Sequence, residues 1–232
     1  MKIAGRTALV TGANRGFGRH LAEQLRDRGA TVYAGARNPA TVDLPGVVPI
    51  ALDVTDADSV AAAAAATDGV SVVVNNAGSS TGSSLLTGRI ADIRLEMDTH
   101  YFGTLAVIRA FAPRLAEHDE SCVLNVLSVL SWLSFPQTGA YCAAKSAEWS
   151  LTNALRLELA AQGTRVSSLH IGYMDTDMTA HISAPKSDPA VIAKIALDGI
   201  EAGAPEIVAD ETSRQVQAGL SAGVTGLYPS AV

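Results

Sequence analysis

Short apolar segments alternate with longer helical stretches from one end of this chain to the other, and that alternation limits the folds open to it. Val70–Val74 (VSVVV) and Cys122–Leu127 (CVLNVL) are apolar at all but one position each, the pattern of strands covered on both faces. Thr7–Thr11, Thr31–Ala34, Val47–Leu52, Arg165–Ile171 and Glu206–Ala209 have the same strand character. Helices are predicted between them: Phe17–Arg28 ending at Gly29, a helix opened at Asp56 and carried by the alanine run Ala61–Ala66, and Ile93–Ala116, interrupted near its end by Pro113. Tyr141–Ala161 follows, ended near Gly163, then Asp188–Ala202 with Asp188 as cap and Pro189 at the first position, and Glu211–Leu220. Strand–helix–strand units build parallel sheets with helices on both faces. The expected fold class is α/β, a doubly wound parallel sheet of about seven strands in three α/β/α layers.

No linker or internal repeat divides the 232 residues, so one domain over 1–232 is expected, with a loosely packed tail from Gly219 to Val232. Hydrophobic residues make up 48% and charged residues 17%, enough apolar material for a substantial core. The net charge is −6 and the basic residues are scattered. That argues against a nucleic-acid partner, which needs a basic stripe, and against an anionic membrane surface. No run approaches the roughly 18 apolar residues of a membrane span, and MKIAGRTALVTG is too short in apolar residues for a signal peptide. Cys122 and Cys142 form no CxxC and no Cys/His cluster, so neither a disulfide framework nor a metal site is expected. A cytoplasmic location is.

The first strand runs into Thr11-Gly12-Ala13-Asn14-Arg15-Gly16-Phe17-Gly18, and a helix begins. A glycine-rich strand-to-helix turn lets backbone approach a pyrophosphate, and the helix N-terminus supplies N–H donors. Dinucleotide sites for NAD place an acid about 20 residues on, against the ribose 2′-hydroxyl. Here that region reads Gly35-Ala36-Arg37-Asn38. Arg37 and Arg15 suit a 2′-phosphate, so NADP(H) is predicted over NAD(H). An ordinary solvated loop charge is the competing reading of Arg37.

Tyr141 stands four residues ahead of Lys145 in YCAAK. On a helix these positions share a face. A phenol titrates near ~10, and a neighbouring positive charge lowers that value. The pair could be a tuned acid and base, or a chance surface pair.

With TGxxxGxG and YxxxK in one chain of this length, the sequence resembles the short-chain dehydrogenase/reductase family, in its compact single-domain branch, from about Arg6 to Leu220. The resemblance implies a Rossmann-type fold and further site residues. Asp53-Val54 matches the Asp-hydrophobic pair beside the adenine ring, and Asn75-Asn76-Ala77-Gly78 the NNAG motif. Ser128, thirteen residues before Tyr141, matches the catalytic serine, and Thr176, near Gly172, the threonine at the carboxamide end of the cofactor. It implies hydride transfer between a cofactor and a ketone, aldehyde or alcohol. Tyr141 would serve as acid or base, Lys145 would lower its pKa and hold the nicotinamide ribose, and Ser128 would orient the carbonyl. Ala143 and Ala144 would let the helix approach the cofactor and the sheet. The equivalent helices in the family pair across two-fold axes, so a homodimer or homotetramer is expected.

The chain departs from the family pattern twice. His100, in Asp98-Thr99-His100-Tyr101-Phe102-Gly103, stands where an asparagine is usual. It could relay protons, substitute in packing, or impair catalysis. Ile171-Gly172 replaces Pro-Gly, which should loosen that turn, and the lid region 177–186 is short. Substrate contacts are expected from Ser79, Ser80, Leu130, Ser131, Trp132, Tyr173, Met174 and Met178, which suit an apolar or moderately polar carbonyl compound or secondary alcohol. Two alternatives stand beside the reductase. One is a non-catalytic NADP-binding sensor, which would have no need of an intact Ser/Tyr/Lys set. The other is an epimerase, whose relatives have longer C-terminal regions.

Overall fold

The computed structural model describes residues 1–228. Its strands are β1 (Thr7–Thr11), β2 (Thr31–Ala36), β3 (Val48–Ala51), β4 (Val70–Asn75), β5 (Ser121–Val126), β6 (Thr164–His170) and β7 (Glu206–Val208). They form one sheet in the order β3-β2-β1-β4-β5-β6-β7, every neighbouring pair parallel. The helices are α1 (Gly16–Asp27), α2 (Ala57–Ala66), α3 (Ile90–Met97), α4 (Thr104–Leu115), α5 (Gly139–Glu158), α6 (Pro189–Ala202), α7 (Glu211–Gly219) and the short α8 (Gly223–Leu227).

Successive strand residues point to opposite faces, and both faces are buried. Ala8, Val10, Val72 and Val74 join Leu21 and Leu25 of α1 and Ala193, Ala196 and Leu197 of α6 in one core. Leu9, Val70 and Val73 join Val60 of α2, Val107 and Phe111 of α4, and Leu151 and Leu155 of α5 in the other. This two-sided covering is the physical reason for the nearly continuous apolar runs. Several ends follow local chemistry: Asp56 and Asp188 accept from the first N–H groups of α2 and α6, and Gly163 and Gly203 adopt left-handed φ of 80° and 73°.

Two departures from the sequence reading occur in the long helix expected over Ile93–Ala116. It starts earlier, at Ile90, and a π-helical turn at Asp98–Gly103 splits it into α3 and α4. Pro113 lies inside α4 without ending it, and the helix runs on to Leu115. The missing N–H falls in the last turn, where Ala116 N–H still reaches Ala112 O at 3.1 Å. The expected tail contains α8 and then Tyr228, whose hydroxyl accepts from Ser134 N–H at 2.8 Å. Residues 229–232 of that tail lie outside the described residues.

Candidate active site

In a doubly wound sheet ligands bind beyond the carboxyl ends of the strands, where the winding reverses. Here the reversal lies between β1 and β4. The turn after β1 has Gly12 and Gly16 in left-handed conformations, φ 66° and 52°. Gly18 answers a different demand: a Cβ there would stand 2.2 Å from Gly12 O and 2.4 Å from Asn76 Nδ2. α1 begins without a side-chain cap and without an acid in its first turn. Its leading N–H groups, which no helix satisfies internally, therefore have no side-chain cap to compete with an anion. That uncapped, glycine-lined helix start fits a dinucleotide pyrophosphate.

The other expected cofactor residues surround this turn in varied ways. The Asn76 amide donates to Thr11 O (2.9 Å) and Gly12 O (3.2 Å), and Ala77 N–H donates to Thr11 Oγ1 (2.9 Å). These bonds fix the turn to the end of β4. Thr176 lies against Gly16, 3.8 Å from where a Cβ would stand. Asn14 Nδ2 donates to Thr41 Oγ1 at 3.1 Å, and Arg15 pairs with Asp177 at 3.5 Å on the surface. Arg37 is exposed just past β2, and no hydrogen bond or ion pair among the described residues engages it. Phe17 is different: its side chain is buried in the core under α1, so only its backbone faces the turn. The Asp53 carboxylate holds Thr55 through N–H (3.0 Å) and Oγ1 (2.7 Å), while Val54 packs on Gly103. Gly172 N–H donates to Asp210 Oδ2 at 2.7 Å, so Asp210 ties the turn that lacks the usual proline.

Ser128, Tyr141 and Lys145 come together at the ends of β5 and the start of α5. Ser128 opens the segment after β5, with its Oγ accepting from Leu130 N–H at 3.1 Å, and it lies close enough to the Tyr141 phenol to pull its pKa down. Tyr141 is in the first turn of α5, and Lys145 Nζ lies 5.9 Å from its ring centroid. Lys145 is buried and donates to Val126 O and Glu148 Oε2, both at 2.7 Å.

Lys145 acts on the Tyr141 phenol in the expected direction, but it does not act alone. Burial pushes the phenol up, the Lys145 charge pulls it down, and Glu148 pushes it up again. The net direction is upward. Burial likewise works against the Lys145 cation, but Glu148 and Tyr141 outweigh it and raise that pKa. Of the two small residues beside them, Ala144 packs inward and Ala143 is exposed.

His100 is buried edge-on to Tyr141, with ring centroids 5.2 Å apart. Its Nε2 lies 2.9 Å from Ser79 O and 3.4 Å from Glu96 Oε2. Gly78 makes room for this ring, since a Cβ would stand 2.9 Å from His100 Cε1. The sequence reading missed Glu96 and Glu148. Their spacing was the available signal: Glu96 is four residues before His100 and Glu148 three after Lys145, each on its partner's helical face.

The expected substrate-side residues divide. Ser79 is committed to Glu96, its hydroxyl 2.8 Å from Oε2. Leu130, Ser131 and Trp132 are buried, and Trp132 stacks on His170 at 3.8 Å. Burial pushes the His170 pKa down to about 4. Met174 packs on the core, while Ser80, Tyr173 and Met178 stand exposed at the site's outer side. The ends of the 177–186 segment are clipped together by Ser187 N–H to Tyr173 O and Asp175 N–H to Ser187 O.

No helix among the described residues is long and apolar enough to cross a membrane, and no cluster of metal-binding side chains occurs among them. The family model of the short chain dehydrogenases matches residues 6–187. An uncharacterized oxidoreductase of Escherichia coli K12, YbbO, is 30% identical over 223 residues, covering 90% of this chain and 81% of that protein. The D-erythrulose reductase of Gallus gallus is 30% identical over 204 residues, 85% of this chain and 83% of that one. Among solved structures, a short chain dehydrogenase from Burkholderia cenocepacia in complex with NADP superposes with a TM-score of 0.94 at 35% identity, covering 99% of this chain and 98% of that one. The chain belongs to the short-chain dehydrogenase/reductase family and is an oxidoreductase of that family.

Proposed function

We propose that this chain is an NADP(H)-dependent reductase that interconverts a ketone or aldehyde and its alcohol. The observation that carries this reading is the convergence of Ser128, Tyr141 and Lys145 beside an uncapped glycine turn. The nicotinamide cofactor, when bound, supplies or accepts the hydride. As a carbonyl carbon gains hydride, charge grows on its oxygen, and a nearby donor must stabilise it. The Ser128 hydroxyl orients that oxygen and Tyr141 gives it a proton; in the reverse direction Tyr141 takes the proton. With its pKa raised by burial, the phenol carries its proton near neutral pH and so is present in the donor form. Lys145, fixed beneath the phenol, has a third N–H free for a ribose hydroxyl.

Arg37 and Arg15 support the preference for a 2′-phosphate, as does the NADP complex of the Burkholderia relative. Exposed Tyr173 and Met178 support an apolar or moderately polar substrate. The test is oxidation of NADPH and of NADH over a panel of ketones, aldehydes and quinones, for the parent and Tyr141→Phe. Turnover with NADPH that falls at least about 100-fold in the variant is expected, the scale of positioned acid–base catalysis. Full turnover in Tyr141→Phe would overturn the assignment.

A further inference from the structure

Behind Tyr141 runs a line of buried titratable groups, of which the reductase reading uses only Lys145. Lys145, Glu148, His100 and Glu96 are 5%, 2%, 1% and 0% exposed. Glu148 Oε2 receives the Lys145 ammonium at 2.7 Å, and Oε1 receives the Thr104 hydroxyl at 3.1 Å. His100 Nδ1 is 3.8 Å from Glu148 Oε2 and has no hydrogen-bond partner among the described residues. Glu96 closes the line, accepting from Thr81 N–H and Ser79 Oγ and facing His100 Nε2. Three elements contribute these groups: α5 gives Tyr141, Lys145 and Glu148, the π-helical turn gives His100, and α3 gives Glu96.

A buried carboxylate is costly unless it is paired and its oxygens are bonded. Both oxygens of Glu148 are bonded, and its partner is the lysine beside the phenol. The ammonium thus has two candidate anions, the Glu148 carboxylate already in contact and the phenolate formed when Tyr141 loses its proton.

We propose that Glu148 is a positioning residue for the reaction, the resident counter-ion of Lys145, which fixes the ammonium and keeps the Tyr141 phenol protonated. This rests on Tyr141 being the acid. Glu148 satisfies Lys145, so the lysine has less charge to offer a phenolate, and the negative charge of Glu148 itself opposes a second anion a few ångströms away. Glu96 adds to that opposition from behind His100. The arrangement favours the proton-donating form of Tyr141, the form from which carbonyl reduction starts. Removing the carboxylate makes the cluster more positive by one charge and eases loss of the phenol proton.

The test is a near-ultraviolet tyrosinate titration of the full chain, with the Tyr141→Phe curve subtracted so that only Tyr141 is read. The Tyr141 midpoint is expected to fall by about one pH unit or more in Glu148→Gln, the usual size of a single close charge effect. The rising alkaline limb of alcohol oxidation with NADP should move down with it, giving about tenfold more rate at a fixed pH below the midpoint. Glu148→Asp keeps the charge but draws it back, and a smaller shift in the same direction is expected; it carries the test if the glutamine variant does not fold. A midpoint unmoved in a folded Glu148 variant, or moved upward, overturns the proposal. The titration needs no turnover, so that outcome is distinct from failure of the reductase reading, which shows as undiminished turnover in Tyr141→Phe.

Discussion

Lys145 and Arg37 illustrate how burial separates two cations of equal formal charge. Lys145 is enclosed, fixed by Val126 O and Glu148, and its effect on Tyr141 depends on how that charge is shared. Arg37 is exposed and unengaged among the described residues, so it is available to a mobile anion. A guanidinium suits phosphate geometry, and a charged hydrogen bond is worth about 1.5–3 kcal/mol. Arg37→Ala should therefore weaken NADPH binding about tenfold or more and leave NADH binding nearly unchanged, read by titrating each cofactor against protein fluorescence. Equal losses for both cofactors would remove Arg37 from the 2′-phosphate role. At this scale the sequence was readable where a residue type has one common use at one spacing. The glycines of the turn are such residues, whereas Tyr141, Lys145 and Ser128 stand out only through the family resemblance, and the fold brings the three together. Glu96 and Glu148 were not readable, because glutamates three or four residues from a cation usually sit on solvated helix faces. Only the tertiary fold shows these two to be buried. Nor does adjacency to a glycine turn say which way a side chain points: Phe17 turns its ring into the core and leaves only its backbone at the turn.

α5 joins the chemistry to the sheet. Asn125 of β5 donates to Thr152 Oγ1 of α5 at 2.8 Å and accepts from Asn75 Nδ2 of β4 at 2.9 Å. Thr152 in turn donates to Glu148 O at 2.7 Å. A buried polar ladder thus ties two strands to the helix that carries Tyr141, Lys145 and Glu148. Asn125→Ala leaves its partners unsatisfied and should cost about 1–3 kcal/mol, measured as a lowered midpoint in urea with unchanged slope. A smaller loss, within about 0.5 kcal/mol, would mean that α5 is held by apolar packing alone. The π-helical turn between α3 and α4 is the element-scale feature the sequence hid. The residues from Ile90 to Leu115 carry helical character throughout, and one extra residue per turn leaves little trace in that pattern. Yet this turn brings His100 to Tyr141 and Gly103 onto Val54. Strand positions were legible to within one or two residues because both faces of each central strand are covered, which leaves the apolar run as a direct imprint of burial.

For the molecule as a whole, the fold places the glycine turn and the Ser/Tyr/Lys group on the same edge of the sheet, where the winding reverses. The order of motifs along the chain already implied this arrangement, since each motif follows a strand and parallel strands all end at the same edge. What surrounds the molecule was less legible. Phe102 in the π-helical turn just before α4 and Leu157 near the end of α5 are exposed apolar residues in the two helical regions for which pairing is expected. A dimer or tetramer mass by light scattering, stable on dilution, is the expected outcome; a monomer mass at all concentrations would contradict it. The central claim is hydride delivery to a carbonyl carbon with Tyr141 supplying the proton. Its most direct test is to incubate the protein with NADPH carrying deuterium at both C4 positions and a mixed panel of ketones and aldehydes, then to analyse the alcohols by mass spectrometry. One deuterium on the carbinol carbon, formed by the parent and lost in Tyr141→Phe, is the predicted result. Alcohol without deuterium, or cofactor bound with no alcohol formed from any carbonyl, would contradict it.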